Sequence, residues 1–295
     1  KMLSALALTV FGMMCSNNTS YASSELQDVI ADQTKSSYDI TVDTKIDESL
    51  GALKGENRNL TINGNFKTVD GNLKQGITVS EGQSLSLKNL NLTRFNYPAY
   101  YDGGAINNTN GTINISVENG SSTYNGLFAT KGGAIYSTGS NAVINVIAQN
   151  NGTLTFADCL SYEYKGGFGG AIYNENGTLN VSANGGNIIF DYNETSSGGG
   201  ALCNKGGNLN LSAQNGSVSF TNNIADSNGG AIYSDGTLDK NITANENGVL
   251  NFSKNEAKNA GAIYYNGGAK TNSSIFNITA NRGTINFEEN IAYTS

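Results

Sequence analysis

The tetrapeptide GGAI, or a close variant of it, recurs through two thirds of this 295-residue chain, and its spacing constrains the fold more than any other feature. Its alanines are Ala105, Ala134, Ala171, Ala201, Ala231 and Ala262, separated by 29, 37, 30, 30 and 31 residues. Near-constant spacing of this size is the signature of a stacked array of structural units. An aromatic residue precedes most of these alanines by 10 or 11 positions: Phe95, Tyr124, Phe190, Phe220 and Phe252. Phe156 lies 15 residues ahead of its alanine because its linker is longer, and Phe287 has no following alanine.

Each period contains three short stretches of strand character. One is GGAIY-like, as at Gly229 to Tyr233; one alternates, as in GTLNVSA (Gly177 to Ala183); the third is NGSVSF-like (Asn215 to Phe220). Alternation with a period of two places Leu179 and Val181, or Val218 and Phe220, on one face and polar residues on the other. Gly and Asn between the stretches supply turns with positive φ. Three strands in about 30 residues, with no helical periodicity in the repeats, predict a parallel β-helix that winds once per repeat. The lone proline fits, since an interior coil is paired on both sides and proline cannot donate to a ladder. About nine coils at a strand spacing of about 4.8 Å would form a rod of about 40 to 45 Å.

GGA followed by Ile or Leu, in phase with Phe-x-x-Asn at Phe190 to Asn193, Phe220 to Asn223, Phe252 to Asn255 and Phe287 to Asn290, resembles the repeat pair of the chlamydial-type polymorphic outer membrane proteins. The resemblance covers about residues 95 to 295. It implies a right-handed, single-stranded, pectin-lyase-like solenoid serving as an autotransporter passenger, displayed at the outer membrane of a Gram-negative-type bacterium as an adhesin or surface antigen. The chain departs from the pattern at Pro98, Leu127 and Cys159, which stand where Asn is expected, and at Ala260, which replaces the first glycine of the last GGAI.

The resulting organisation is a signal peptide over residues 1–22, a polar leader over 23–37, degenerate capping coils over 38–101 and the regular array over 102–295. Met2 to Met14 form an apolar run behind Lys1, too short to span a bilayer, and Ser20-Tyr21-Ala22 suits signal peptidase. Terminal repeats are expected to be atypical because the first coil has a side without a partner. The sequence stops five residues after the last Phe-x-x-Asn, so further coils and a C-terminal membrane anchor are expected beyond it. The insertion Asp158 to Phe168 is expected to protrude.

Several function classes are disfavoured. Seventeen basic against 24 acidic residues argue against nucleic acid as a partner. The absence of histidine removes Ser-His-Asp and Cys-His catalysis and His-ligated metal, and no phosphate-binding glycine motif follows a strand. No cofactor or metal site is expected. Pectin-lyase-like solenoids include polysaccharide-cleaving enzymes, but there is no Asp-Asp pair, and Asp158, Asp191 and Asp226 occupy different phases of their coils. Cys159 and Cys203 also differ in phase, and the sequence leaves their pairing open. The candidate site is a stripe. Tyr136, Tyr173, Tyr233 and Tyr264 follow the core aliphatic and have outward parity. Such a stripe can meet a sugar or a receptor on a host or neighbouring cell, or its rings can simply stack between coils. Asn193, Asn223, Asn255 and Asn290 are expected to form a ladder that satisfies turn backbone. A spacer that carries a distal domain is a further structural alternative.

Overall fold

The computed structural model describes residues 23–96, 102–162, 166–236, 239–267 and 275–293. The predicted signal peptide and Pro98 lie outside these residues. The chain forms a right-handed parallel β-helix of four sheets in which every strand pair is parallel. Sheet A, with nine strands, contains the long alternating stretches such as Thr178–Asn184 and Asn208–Gln214. Sheet B, also nine-stranded, contains Asn187–Asp191 and Ser217–Thr221, and sheet C, eight-stranded, contains Ile172–Glu175 and Ile232–Asp235. Sheet D, six-stranded among the described residues, adds a fourth strand to six of the coils, such as Leu160–Ser161 and Glu194–Thr195. Two-residue strands are too short to show alternation in a sequence.

The register is the repeat itself. Ile106, Ile135, Ile172, Leu202 and Ile232 pair in succession and are buried, forming an aliphatic ladder in the core. Phe156, Phe190, Phe220, Phe252 and Phe287 stack in register with centroids 4.8 to 5.0 Å apart and planes within 8° of parallel. The marker alanines join successive coils through their backbone. Their carbonyls from Ala134 to Ala262 each accept from two amides of the preceding coil, as when Ala201 N and Leu202 N donate to Ala231 O at 3.0 Å. A Cβ on Gly200 would lie 2.1 Å from the carbonyl oxygen of Gly230, so the second glycine of the motif admits no side chain. The first glycine has positive φ, as at Gly199 (73°) and Gly229 (65°), and Ala260 holds this conformation at 57° in the sixth repeat.

The predicted asparagine ladder is present. Asn193 Nδ2 donates to Asn223 Oδ1 (2.9 Å) and to the carbonyl of Phe156 (3.0 Å), while Asn193 N donates to the same Oδ1. Asn223 repeats this toward Asn255 and Phe190, and Asn255 toward Asn290 and Phe220. The residue before each Asn is left-handed: Tyr192, Asn222, Lys254 and Glu289 have φ between 51° and 56°. Such a conformation costs a side-chain-bearing residue about 1 to 2 kcal/mol and needs surrounding structure to hold it. Cys159 takes the Asn position one coil earlier, with its Sγ 3.6 Å from the carbonyl of Tyr124.

The leader is not featureless. Ser23–Ala31 is a helix whose Leu26, Val29 and Ile30, at i, i+3 and i+4, are buried against the first coil. Arg58 fixes it, donating to the carbonyls of Val29 (2.6 Å), Ile30 (2.7 Å) and Lys35 (3.1 Å). At the other end Phe287 and Ile278 are half exposed. The core also takes up polar groups. Lys240 occupies a sheet A position in register with Leu209 and Phe276 and is fully buried; burial lowers its pKa, opposed by the charges of Asp235 and Asp239.

Tyr124 begins the aromatic stack, tilted 43° against Phe156, and its buried hydroxyl has no hydrogen-bond partner. An unsatisfied buried hydroxyl costs stability, so Tyr124→Phe is expected to raise the unfolding free energy by about 1 kcal/mol or more. Urea titration followed by circular dichroism measures this, and an unchanged or lowered midpoint would refute the reading.

Candidate functional site

The tyrosine stripe lies on sheet C, one residue after the core aliphatic. Register places Asn107, Tyr136, Tyr173, Cys203, Tyr233 and Tyr264 on successive coils. Tyr136 and Tyr173 stack at 5.3 Å with planes 3° apart, and Tyr233 and Tyr264 at 5.6 Å and 10°. The expectation of an exposed stripe needs correction. Tyr136, Tyr233 and Tyr264 are half-buried, but Tyr173 and Cys203 are buried.

The reason is Phe168, from the end of the long insertion. Its ring lies 6.3 Å from that of Tyr173 and 5.8 Å from that of Tyr233, above the rung where Cys203 leaves a gap between the two tyrosine pairs. Phe168 bridges to Gly198, whose missing side chain makes room: a Cβ there would come within 3.0 Å of Tyr233. Both ends of the insertion therefore belong to the solenoid, Leu160–Ser161 in sheet D and Phe168 through its bridge to Gly198, which bridges in turn to Asn228 of a sheet D strand, while Tyr162 is exposed. No sequence pattern marked Phe168, because its role depends on a cysteine 35 residues later.

Charged groups frame the stripe. Lys131 Nζ lies 5.7 Å from the centre of the Tyr173 ring and Lys205 Nζ 5.8 Å from that of Phe168, both within cation–π range. Tyr233 Oη donates to Asp235 (3.0 Å). Burial pushes the Tyr173 and Tyr233 hydroxyls up from the ordinary phenol range, with Cys203 and Glu175 adding at Tyr173 and Asp235 at Tyr233. These hydroxyls are therefore neutral donors. Tyr173 stacks on Tyr136 and is buried, and Tyr233 stacks on Tyr264 and commits its hydroxyl to Asp235, so the stripe offers a partner mainly the outer edges of Tyr136, Tyr233 and Tyr264.

A second region follows sheet D and its corner with sheet B. Glu194 is half-buried; burial first, and the charge of Asp226 second, raise its pKa, and burial raises that of Asp226. Nearby, a shallow cleft of about 320 Å³ is lined by Tyr192, Asn222, Lys254, Glu256 and Glu289 among others. Asp158 and Asp191 lie on neighbouring coils, where burial and the Asp191 charge raise the Asp158 pKa. Asp191 is engaged by Thr221 Oγ1 (2.6 Å) and Asn222 Nδ2 (3.0 Å). Among the described residues no three His, Cys, Asp or Glu side chains are grouped so as to hold a metal ion. Cys159 and Cys203 are both free and buried.

Residues 187–205 and 217–235 match the family model of the Chlamydia polymorphic membrane protein repeat. These two stretches of the chain are similar to polymorphic membrane protein repeats. Each matched stretch runs from a sheet B strand through the left-handed corner and its Asn to GGA and the sheet C strand. Strand register carries the same positions to Phe252, Asn255 and Ala262, beyond the matched residues. No curated protein and no solved structure matches the chain.

Replacing Phe168 tests its role as a cover. In Phe168→Ala, Cys203 is expected to react several-fold faster with a maleimide under native conditions, while Cys159, sealed inside the coil, keeps its slow rate. Peptide mapping of the labelled chain distinguishes the two thiols, and an equal increase at both would instead report global loosening.

Proposed function

We propose that this chain is a surface-displayed β-helical passenger that acts through its exterior as an adhesin or surface antigen. The observation that supports it most is the polymorphic membrane protein repeat, matched at residues 187–205 and 217–235 within a solenoid whose register extends that repeat along its length. In such a rod the interior is committed to stacking. Loops and outward side chains are free to meet a receptor or glycan on a host or neighbouring cell, and no cofactor or nucleic acid enters. No described helix is long and apolar enough to cross a membrane, and membrane attachment in this reading belongs to a C-terminal anchor. Beads coated with the purified chain are expected to bind cultured epithelial cells saturably and to be displaced by free chain. Beads that bind no better than albumin-coated ones would leave the spacer role in its place.

One observation favours a second reading, a polysaccharide-active enzyme. Glu194, its pKa raised by burial and by the charge of Asp226, pairs in register with Ile224, which lines the cleft, and a protonated carboxyl can serve as a general acid toward a glycosidic oxygen. Cleavage by this route would increase as pH falls toward the carboxylate range, because the protonated form is the acid, and would vanish in Glu194→Gln. Release of new reducing ends from soluble polysaccharides, assayed over an acidic-to-neutral pH range, decides it. No release across that range would dismiss the enzyme.

A further inference from the structure

The outer face of sheet A carries an array of amides that the adhesive reading above does not yet use. Asn145 Nδ2 donates to Asn114 Oδ1, Asn180 to Asn145 and Asn210 to Asn180, each at 2.8 Å. Asn241 continues to Asn210 at 3.2 Å and Asn277 to Asn241 at 3.0 Å. These asparagines alternate with core residues, so their amides form a straight rail on the outside, running along the solenoid axis. A carboxamide has two N–H donors and two carbonyl lone pairs. The rail uses one donor and one acceptor per amide. One N–H and one lone pair therefore remain at each interior rung, repeated about every 4.8 Å. A second rank lies beside it, where Ser212 Oγ donates to Ser182 Oγ at 3.1 Å.

The face is also unusually free of charge. From Thr112–Glu118 to Phe276–Asn281, the outward positions of six consecutive strands carry one charged residue, Glu118, at the sheet margin. That excludes partners recognised through charge: nucleic acid and sulfated glycans need clustered Lys and Arg. The face also lacks the Trp, Tyr and Arg anchors around which protein interfaces concentrate their energy. Its chemistry is matched by a neutral, extended polymer that presents hydroxyl donors and acceptors at a regular interval comparable to the coil spacing.

We propose that the outer face of sheet A, along the rail from Asn114 to Asn277, is a docking surface for an extended neutral glycan lying along the solenoid axis. The proposal rests on the adhesive reading and supplies its ligand class. Each sugar ring would meet one rung, its hydroxyls pairing with the spare N–H and lone pair of that amide. Affinity comes from repetition, since single contacts of this kind are weak and a linked series engages with high effective concentration. The expectation follows that longer oligosaccharides bind better than short ones of the same sugar.

The purified chain is tested on an array of neutral hexasaccharides of the gluco, manno, galacto and N-acetylglucosamine types, with a heparin hexasaccharide as the charged control. The double variant Ser182→Lys/Ser212→Lys places bulk and charge beside the intact rail, and Ser219→Lys does the same on the outer face of sheet B. At least one neutral hexasaccharide should bind, with affinity reduced about tenfold or more in the sheet A variant and unchanged in the sheet B variant. Circular dichroism confirms that both variants are folded. Binding of heparin alone, binding of no neutral hexasaccharide, or equal binding by the sheet A variant overturns the proposal. So does concentration-dependent self-association of the native chain that the sheet A variant abolishes, since the face would then belong to a second copy. The same proteins on beads separate the two claims. Cell binding that survives the sheet A substitutions leaves the adhesive reading standing without this surface, and loss of all cell binding by the native chain removes both.

Discussion

Coil-to-coil registration at the left-handed corner between sheets B and D holds the solenoid together. Tyr192, Asn222, Lys254 and Glu289 accept positive φ there, which turns the chain sharply out of the aromatic strand. Positive φ at a side-chain-bearing residue persists only when its surroundings over-determine it. The following Asn supplies that determination, because its amide binds the phenylalanine carbonyl one coil back and the Asn carbonyl one coil ahead. The side chain thus joins three coils at once. A coil displaced by one residue would lose the Phe stack and the Asn ladder together, and every core side chain would point outward.

The same logic explains where departures are tolerated. Cys159 can replace an Asn because its amide still donates to Asn193 Oδ1 at 3.1 Å, so the ladder keeps its backbone link where the side chain has changed. Cys203 can interrupt the tyrosine stripe because Phe168 covers the gap. Lys240 enters the core where Asp235 and Asp239 lie close enough to oppose the effect of burial on its charge. Each irregularity is repaired locally, within one or two coils, as expected when each repeat contacts mainly its neighbours.

The spacing of Ala, Ile and Phe made the β-helix, its core ladders and the Asn ladder legible before any coordinates, because each depends on one position per repeat. What escaped depends on pairs of positions in different repeats or on stretches without a period. Sheet D was invisible because four of its six strands are only two residues long. The N-terminal helix was passed over because three apolar residues in a polar leader carry little periodic signal, and Arg58, which fixes it, lies 28 residues beyond Ile30. A second buried ladder, in which Asn174 donates to Asn204 (2.7 Å) and Asn204 to Ser234 (3.3 Å), was hidden because Asn and Ser share the position. Alternation alone sets the parity of the tyrosine stripe, but its accessibility depends on the ring of Phe168, from an insertion whose return path the sequence does not show.

Interior and exterior are thus under different constraints. Inside, one substitution disturbs contacts to the coil before and the coil after, so the residue at each position is narrowly fixed. Outside, a face such as that of sheet A can change side chains without touching the stack, provided the amide rail continues. A rod of this kind can vary its surface at little structural cost, which suits a molecule whose partners are met from outside. On the proposed adhesive reading, surface chemistry and not fold would carry the specificity: the fold supplies an evenly spaced lattice, and the outward residues would decide what it meets.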